Sequence, residues 1–257
     1  MSGHSKWATI KRHKARVDAQ RGKVFTKLGR ALIVATRQGG PNPDGNLRLR
    51  MAIDKAREAN MPMDHIQRAI QKAAGELDGA HYDESLYEGY GPGGVAVLVE
   101  VATDNPRRSA ADVRYLFSRN GGSLGEAGCV SWLFSKKGLL VLDRESRHLD
   151  EDAVTMTALE AGAEDVRDEG DSFVVVTSVS GLEPVKSAFA QNGMPVSHSE
   201  LVRLPQSTVS VGGDDLERVE RLVDMLEDHD DVQAVYTNHE PAGSSEPRPG
   251  TAPDRIS

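Results

Sequence analysis

Thiols are almost absent from this chain: Cys129 is its only cysteine, which excludes an intrachain disulfide or a thiolate cluster for zinc and fits a reducing compartment. Aromatic residues make up 5% of the sequence, which limits how much stacking any binding surface can offer. Long apolar runs are missing as well. Stretches such as Val95 to Val99 fall far short of the roughly 18 to 20 residues that cross a bilayer, so no membrane partner is expected. The N-terminus is basic but has no apolar core of a secretory signal, and Trp7 and Ile10 make no clean apolar face for a mitochondrial transit peptide. A cytoplasmic location is the expectation. None of the eight histidines sits in HExxH or another ligand spacing, and Asp228, Asp230 and Asp231 with Glu227 lack the glycine and terminal glutamate of a calcium loop. That run reads as a solvated acidic turn. No cofactor and no metal are expected.

What the chain does have is charge sorted along its length. Met1 to Arg37 holds ten Lys and Arg against one acid, Asp18, a net charge of +9 in a protein whose total is −8. Through Ala74 there are sixteen bases against five acids, a net +11, and the remaining 183 residues carry fifteen bases against 34 acids, a net −19. Such segregation describes a module for a polyanion carried on a body that repels one.

Apolar periodicity predicts three short helices in the basic part. Val24, Leu28, Ala31, Leu32 and Ala35 form one stripe, ended by Gly39, Gly40 and Pro41; Leu49, Ile53 and Ala56 form a second within 46–60; Ile66, Ala69, Ile70 and Ala73 form a third from about Pro62 to Ala74. The residues from Gly75 to Asp83 read as a linker. Strands and helices then alternate. A strand is expected at 94–103, a helix from Asp104, Asn105 and Pro106 to about Asn120, and a second strand at 129–134. Residues 138–204 follow the order βαββαβ of a ferredoxin-like sandwich, with strands at 138–143, 164–167, 172–177 and 197–204. The flanks are each incomplete: a strand at 208–211, a helix at 214–228 and a strand at 232–236 follow that unit. Joined to 94–134, they make a second βαββαβ unit into which the first is inserted. The expectation is therefore an α+β multidomain chain. Its parts are a helical domain at 1–78, a split α/β domain at 79–136 plus 206–240, an inserted ferredoxin-like domain at 137–205, and a disordered Pro/Ser/Gly-rich tail at 241–257.

The chemistry sits mainly in the leader. Lys6, Lys11, Arg12, Lys14, Arg16, Arg21 and Lys23 are candidate phosphate contacts, continued by Lys27 and Arg30 on the first helix, with His13 among these cations. Trp7 is placed either against the bundle or on a base. Six phosphate contacts would make binding steeply salt-dependent, about 0.9 in log K per contact. Arg107 and Arg108, in a helical first turn, are either a second anion site or surface arginines paired with nearby acids, the pairing slightly favoured. The glycines of GYGPGG at 89–94 precede a strand and so read as a tight turn, not a phosphate cradle. Cys129 lacks a neighbouring base and reads as a buried structural thiol. Paired carboxylates and ligand clusters are missing from the basic part, so an enzyme such as a nuclease is not expected.

The stretches GHSKW at 3–7, IKRHKA at 10–15, DAQRGKVFTKL at 18–28, LRLRMAIDKAREANMP at 47–62, TDNPRRSAADVR at 103–114, GGSLGEAGCVSWLF at 121–134 and DVQAVYTN at 231–238 resemble the YebC family, which includes the mitochondrial translational activator of cytochrome c oxidase. The resemblance runs over nearly everything from Ser2 to Asn238. It implies three domains in a crescent, the third inserted in the second, and a probable transcriptional regulator that binds DNA through its basic N-terminal domain. It also implies an alternative: a translation factor on the ribosome, contacting rRNA or tRNA and relieving stalling at proline-rich stretches. On either implication the partner is nucleic acid, with the transcription machinery or the ribosome beside it.

Overall fold

The computed structural model describes residues 21–75, 82–144 and 149–242. Three helices open it: α1 (Arg21–Gly39), α2 (Leu47–Glu58) and α3 (Met63–Ala73). Their stripes meet as predicted, with Leu28, Leu32, Ala35, Leu49, Ile53, Ala56, Ile66 and Ala69 in one buried cluster. Each fully buried Leu or Ile contributes roughly 1.5–3 kcal/mol through its apolar surface. The α1–α2 corner is fixed by Asn46. Its carbonyl caps the amide of Leu49 at 3.0 Å, while its amide donates to the carbonyls of Ala35 at 2.8 Å and Gly40 at 2.9 Å.

Two antiparallel sheets follow. Sheet one runs β3 (Ser123–Leu124), β1 (Asp83–Tyr90), β2 (Ala96–Thr103), β9 (Val232–Thr237). Sheet two runs β5 (Asp165–Asp168), β6 (Ser172–Thr177), β4 (Phe134–Asp143), β7 (His198–Pro205). Side chains alternate along a strand, so a strand covered on both faces reads as an unbroken apolar run. On β2, Val97, Val99 and Val101 face α4 (Pro106–Arg119) and α7 (Gly213–Asp228), whereas Ala96 and Leu98 face sheet two. On β4, Leu139 and Val141 face sheet one, whereas Leu140 and Leu142 face α5 (Glu151–Glu160) and α6 (Leu182–Gln191). The result is four layers: helices, sheet, sheet, helices.

Sheet two has the ferredoxin-like strand order expected from 138–204, and its elements match the predicted ones to within a few residues. Sheet one keeps the same spatial order with a different assignment. The position between β3 and β2, which the expected unit gave to the strand at 208–211, is filled by β1, which lies in a stretch for which no strand was predicted, and which pairs with β2 from Asp83↔Thr103 to Tyr90↔Ala96. The predicted strand at 208–211 exists as β8 (Val209–Val211), but it pairs in parallel with β10 (His239–Pro241) in a separate ribbon. The strand predicted at 129–134 is also absent: Ser131–Leu133 is a turn of 3-10 helix, and the strand there begins at Phe134 and runs on as β4. Of the GYGPGG glycines, Gly89 lies in β1, and Gly91, Gly93 and Gly94 make the β1–β2 hairpin turn, with Gly93 at φ 67° and Gly94 at φ 75°. Of the tail expected to be disordered at 241–257, Pro241 instead ends β10, and residues 243–257 lie outside the described ones. Among the described residues no helix is long and apolar enough to cross a membrane.

Candidate nucleic-acid interface

Of the predicted contacts, Lys6, Trp7, Lys11, Arg12, His13, Lys14 and Arg16 lie outside the described residues, as does the side chain of Arg21, whose backbone opens α1. Lys23, Lys27 and Arg30 recur at i, i+4 and i+7 on one face of α1. That face is turned inward, onto the acidic turn after α7. Lys23 pairs with Asp228 at 3.0 Å, the Lys27 ammonium donates to the Glu227 carbonyl, and Arg30 reaches the Asp231 carboxylate at 2.5 Å and the Asp230 carbonyl at 2.6 Å. A phosphate would have to compete with Asp228 for Lys23 and with Asp231 for Arg30, while Lys27 already donates to a backbone carbonyl. Burial pushes the Lys27 amine down to about 8, against the pull of Glu227, Asp228 and Asp230.

The acidic run is thus not the solvated turn its composition implied. Asp231 is 2% exposed and acts as a hub. Its Oδ2 accepts from Ser109 Oγ at 2.6 Å, Thr103 Oγ1 at 3.1 Å and Arg108 Nη2 at 3.1 Å, while Oδ1 takes Arg30. Burial pushes its carboxyl up, but the Ser109 and Arg108 hydrogen bonds and the Arg30 charge outweigh it and hold it at about 2. Arg108 also binds Asp104 at 2.9 Å, so of the two arginines at the start of α4 it is the paired one, while Arg107 is exposed. Lys23, Arg30, Arg108 and His229 share an open groove of about 760 Å³ at this junction with five aspartates, Asp104, Asp224, Asp228, Asp230 and Asp231.

A second contact holds the helical unit to the inserted one. Lys55, Glu58 and Asp54 of α2 meet Glu200 at 3.5 Å, His198 at 3.4 Å and Lys186 at 3.8 Å. Burial alone would lower the His198 pKa, but its bonds to Glu200 and Glu58 raise it to about 9.

Sequence reasoning missed one buried anion entirely. Glu88, 4% exposed in β1, accepts from the backbone amides of Gly128 at 2.8 Å, Val130 at 2.8 Å and Ser131 at 2.7 Å. Burial raises its pKa and those three amides bring it below the ordinary value. The loop it anchors carries Cys129, half-buried with its thiol pushed up by burial and by Glu88, and Trp132, 66% exposed. Arg114, Tyr115 and Arg119 on α4, not singled out in the sequence, are exposed, Arg114 seven residues from Arg107 and so on the same helix face. Among the described residues no cluster of three or more His, Cys, Asp or Glu is placed to hold a metal ion.

Comparison with known proteins bears on both halves. Residues 5–76 match a family model described as the TACO1/YebC protein N-terminal domain, and residues 82–239 match one described as the TACO1/YebC second and third domain. A probable transcriptional regulatory protein of Pelotomaculum thermopropionicum is 55% identical over 240 residues, covering 93% of this chain and 99% of that protein. One of Desulforamulus reducens is 53% identical, with coverage of 93% and 99%. The crystal structure of a conserved hypothetical protein from Aquifex aeolicus superposes with a TM-score of 0.80 at 44% identity, covering 92% of this chain and 96% of that one.

Proposed function

The chain belongs to the TACO1/YebC family, and from that premise we propose that it is a non-enzymatic regulator of gene expression whose basic N-terminal region grips the sugar-phosphate backbone of nucleic acid in the cytoplasm. The observation that carries the reading is the charge division, +9 in the first 37 residues on a chain of −8. In the described structure Lys23, Lys27 and Arg30 bond the turn at 227–231, so the reading puts the main contact on Lys6, Lys11, Arg12, His13, Lys14, Arg16 and Arg21, with Trp7 beside them. Residues 1–78 form the binding part in this division. The body at 79–136 with 206–240, and its insert at 137–205, orients that part and meets the transcription machinery. The relatives' printed names, probable transcriptional regulatory proteins, support the regulator reading, and DNA is the polymer we assign to it.

One observation favours a second reading, contact with rRNA or tRNA at the ribosome. The basic face of α1 is turned into the protein, so it is no free recognition helix for a major groove, while Tyr115 at 58% and Trp132 at 66% exposure suit splayed bases. Cross-linking in cells from positions 11–23, followed by identification of the attached polymer, tests both. DNA fragments support the first reading and rRNA or tRNA the second; no nucleic-acid adduct refutes the proposal.

A further inference from the structure

Helix α4 carries, beside the Tyr115 already noted, a basic face that the leader contact proposed above does not use. Ser109, Val113 and Phe117 are buried on its inner side. The helical repeat therefore turns Arg107, Ala111, Arg114 and Ser118 outward, flanked by Tyr115 and Arg119, and all six are exposed. From Arg107 to Arg119 the stripe is about 18 Å long at 1.5 Å per residue. Arg108 is held by Asp104 and Asp231, but among the described residues no carboxylate pairs with Arg107 or Arg114. The Arg119 guanidinium lies 6.0 Å from the Tyr115 ring centre and donates to its hydroxyl at 3.2 Å. One side of the ring is thereby backed by a cation, and at 58% exposure the ring keeps a surface for stacking.

The first turn of α4 also lies near the start of α1, across a groove that five aspartates share. Lys23, two residues into α1, and Arg108, in the first turn of α4, line the same groove. The basic leader thus joins the body beside the end from which the arginine face runs.

We propose that this face is a second nucleic-acid contact and that it takes an unpaired stretch of RNA, with phosphates on Arg107 and Arg114 and a base on the Tyr115–Arg119 pair. The inference rests on the nucleic-acid reading above and deepens it: the leader supplies affinity, and α4 selects unpaired over paired strands. A duplex hides its base faces, whereas loops of folded RNA present them, and stacking on an exposed ring needs such a face. An acidic protein surface would satisfy the arginines and leave Tyr115 with no role.

The test measures fluorescence anisotropy of a labelled RNA hairpin with a wide unpaired loop, and of a blunt DNA duplex, against the full chain across a salt series. Tyr115→Ala should weaken hairpin binding about tenfold or more while leaving duplex binding unchanged. Arg107→Ala with Arg114→Ala should lower the slope of log K on log salt for the hairpin by about 1.4, two contacts at about 0.7 each. All three side chains are exposed, so thermal melts should match the parent. Lys11→Glu with Arg12→Glu and Lys14→Glu serves as the control on the leader. If that control loses the hairpin while both α4 variants keep the parent's affinity and slope, the α4 inference alone is overturned. If the α4 variants lose duplex and hairpin equally, the preference for unpaired RNA is overturned. If the parent binds neither polymer, the nucleic-acid reading falls and takes this inference with it.

Discussion

Asp231→Asn would remove the charge that ties α1 to the split domain. In the parent the carboxylate satisfies Ser109, Thr103 and Arg108 on one oxygen and Arg30 on the other, and it is 2% exposed. Taking one partner from a buried ion pair strands the other, at a cost of about 3–5 kcal/mol. The asparagine retains one acceptor, so a loss of about 2–4 kcal/mol at pH 7 is expected. Part of this depends on pH in a way that identifies its source. The folded carboxyl sits at about 2 against an ordinary 3.8, so its stabilisation is complete above about pH 4 and disappears as the pH falls through 2. At about 1.4 kcal/mol per pH unit, the 1.8-unit difference corresponds to roughly 2 kcal/mol, of which about half is gone by pH 3. Urea unfolding of parent and variant at pH 7 and pH 3 should therefore show the gap narrowing by about 1 kcal/mol. A gap that is negligible at pH 7, or that stays constant between the two, would refute the hub.

Three further outcomes follow from the geometry. His198→Gln should destabilise the α2 contact most at or below about pH 6.5; since the folded imidazolium holds its proton up to about 9, the deficit should shrink as the pH rises through that value, as followed by thermal melts across pH. Glu88→Gln should cost about 2–3 kcal/mol and speed hydrogen exchange at Gly128, Val130 and Ser131, whose amides it accepts; unaltered exchange at all three would show that the carboxylate does not anchor the loop. Asn46→Ala should lower stability by about 1–2 kcal/mol in urea titrations, because the cap on Leu49 and the bonds to Ala35 and Gly40 are lost together.

Much of the fold was legible because burial leaves a period in the sequence. The stripes of α1 to α3 and the runs GLLVLD and SFVVVT announced their elements. β1 was not legible: Asp83, Glu84, Ser85, Glu88 and Gly89 lower its strand signal, and it is held by pairing with β2 and by a buried carboxylate whose amide partners lie some 40 residues away. The separate fate of β8 is equally non-local, since its partner β10 comes after α7 and β9. At the candidate interface, composition located the cations of α1 but not what they face. Arg30 and Asp231 are 201 residues apart, so the acidic run looked solvated until the fold brought the two together. Arg107 and Arg108 adjoin in sequence yet differ in role, because the 100° step between neighbours on a helix points one at Asp231 and the other at solvent.

The most direct test of the account is the salt dependence of nucleic-acid binding by the full chain and by its Lys11→Glu, Arg12→Glu, Lys14→Glu variant. If the leader grips the backbone electrostatically, the parent's log K should fall with log salt with a slope set by about 0.9 per duplex phosphate contacted, and the variant should bind far more weakly while melting at the parent's temperature. A variant that binds as tightly as the parent, with the same slope, would contradict it.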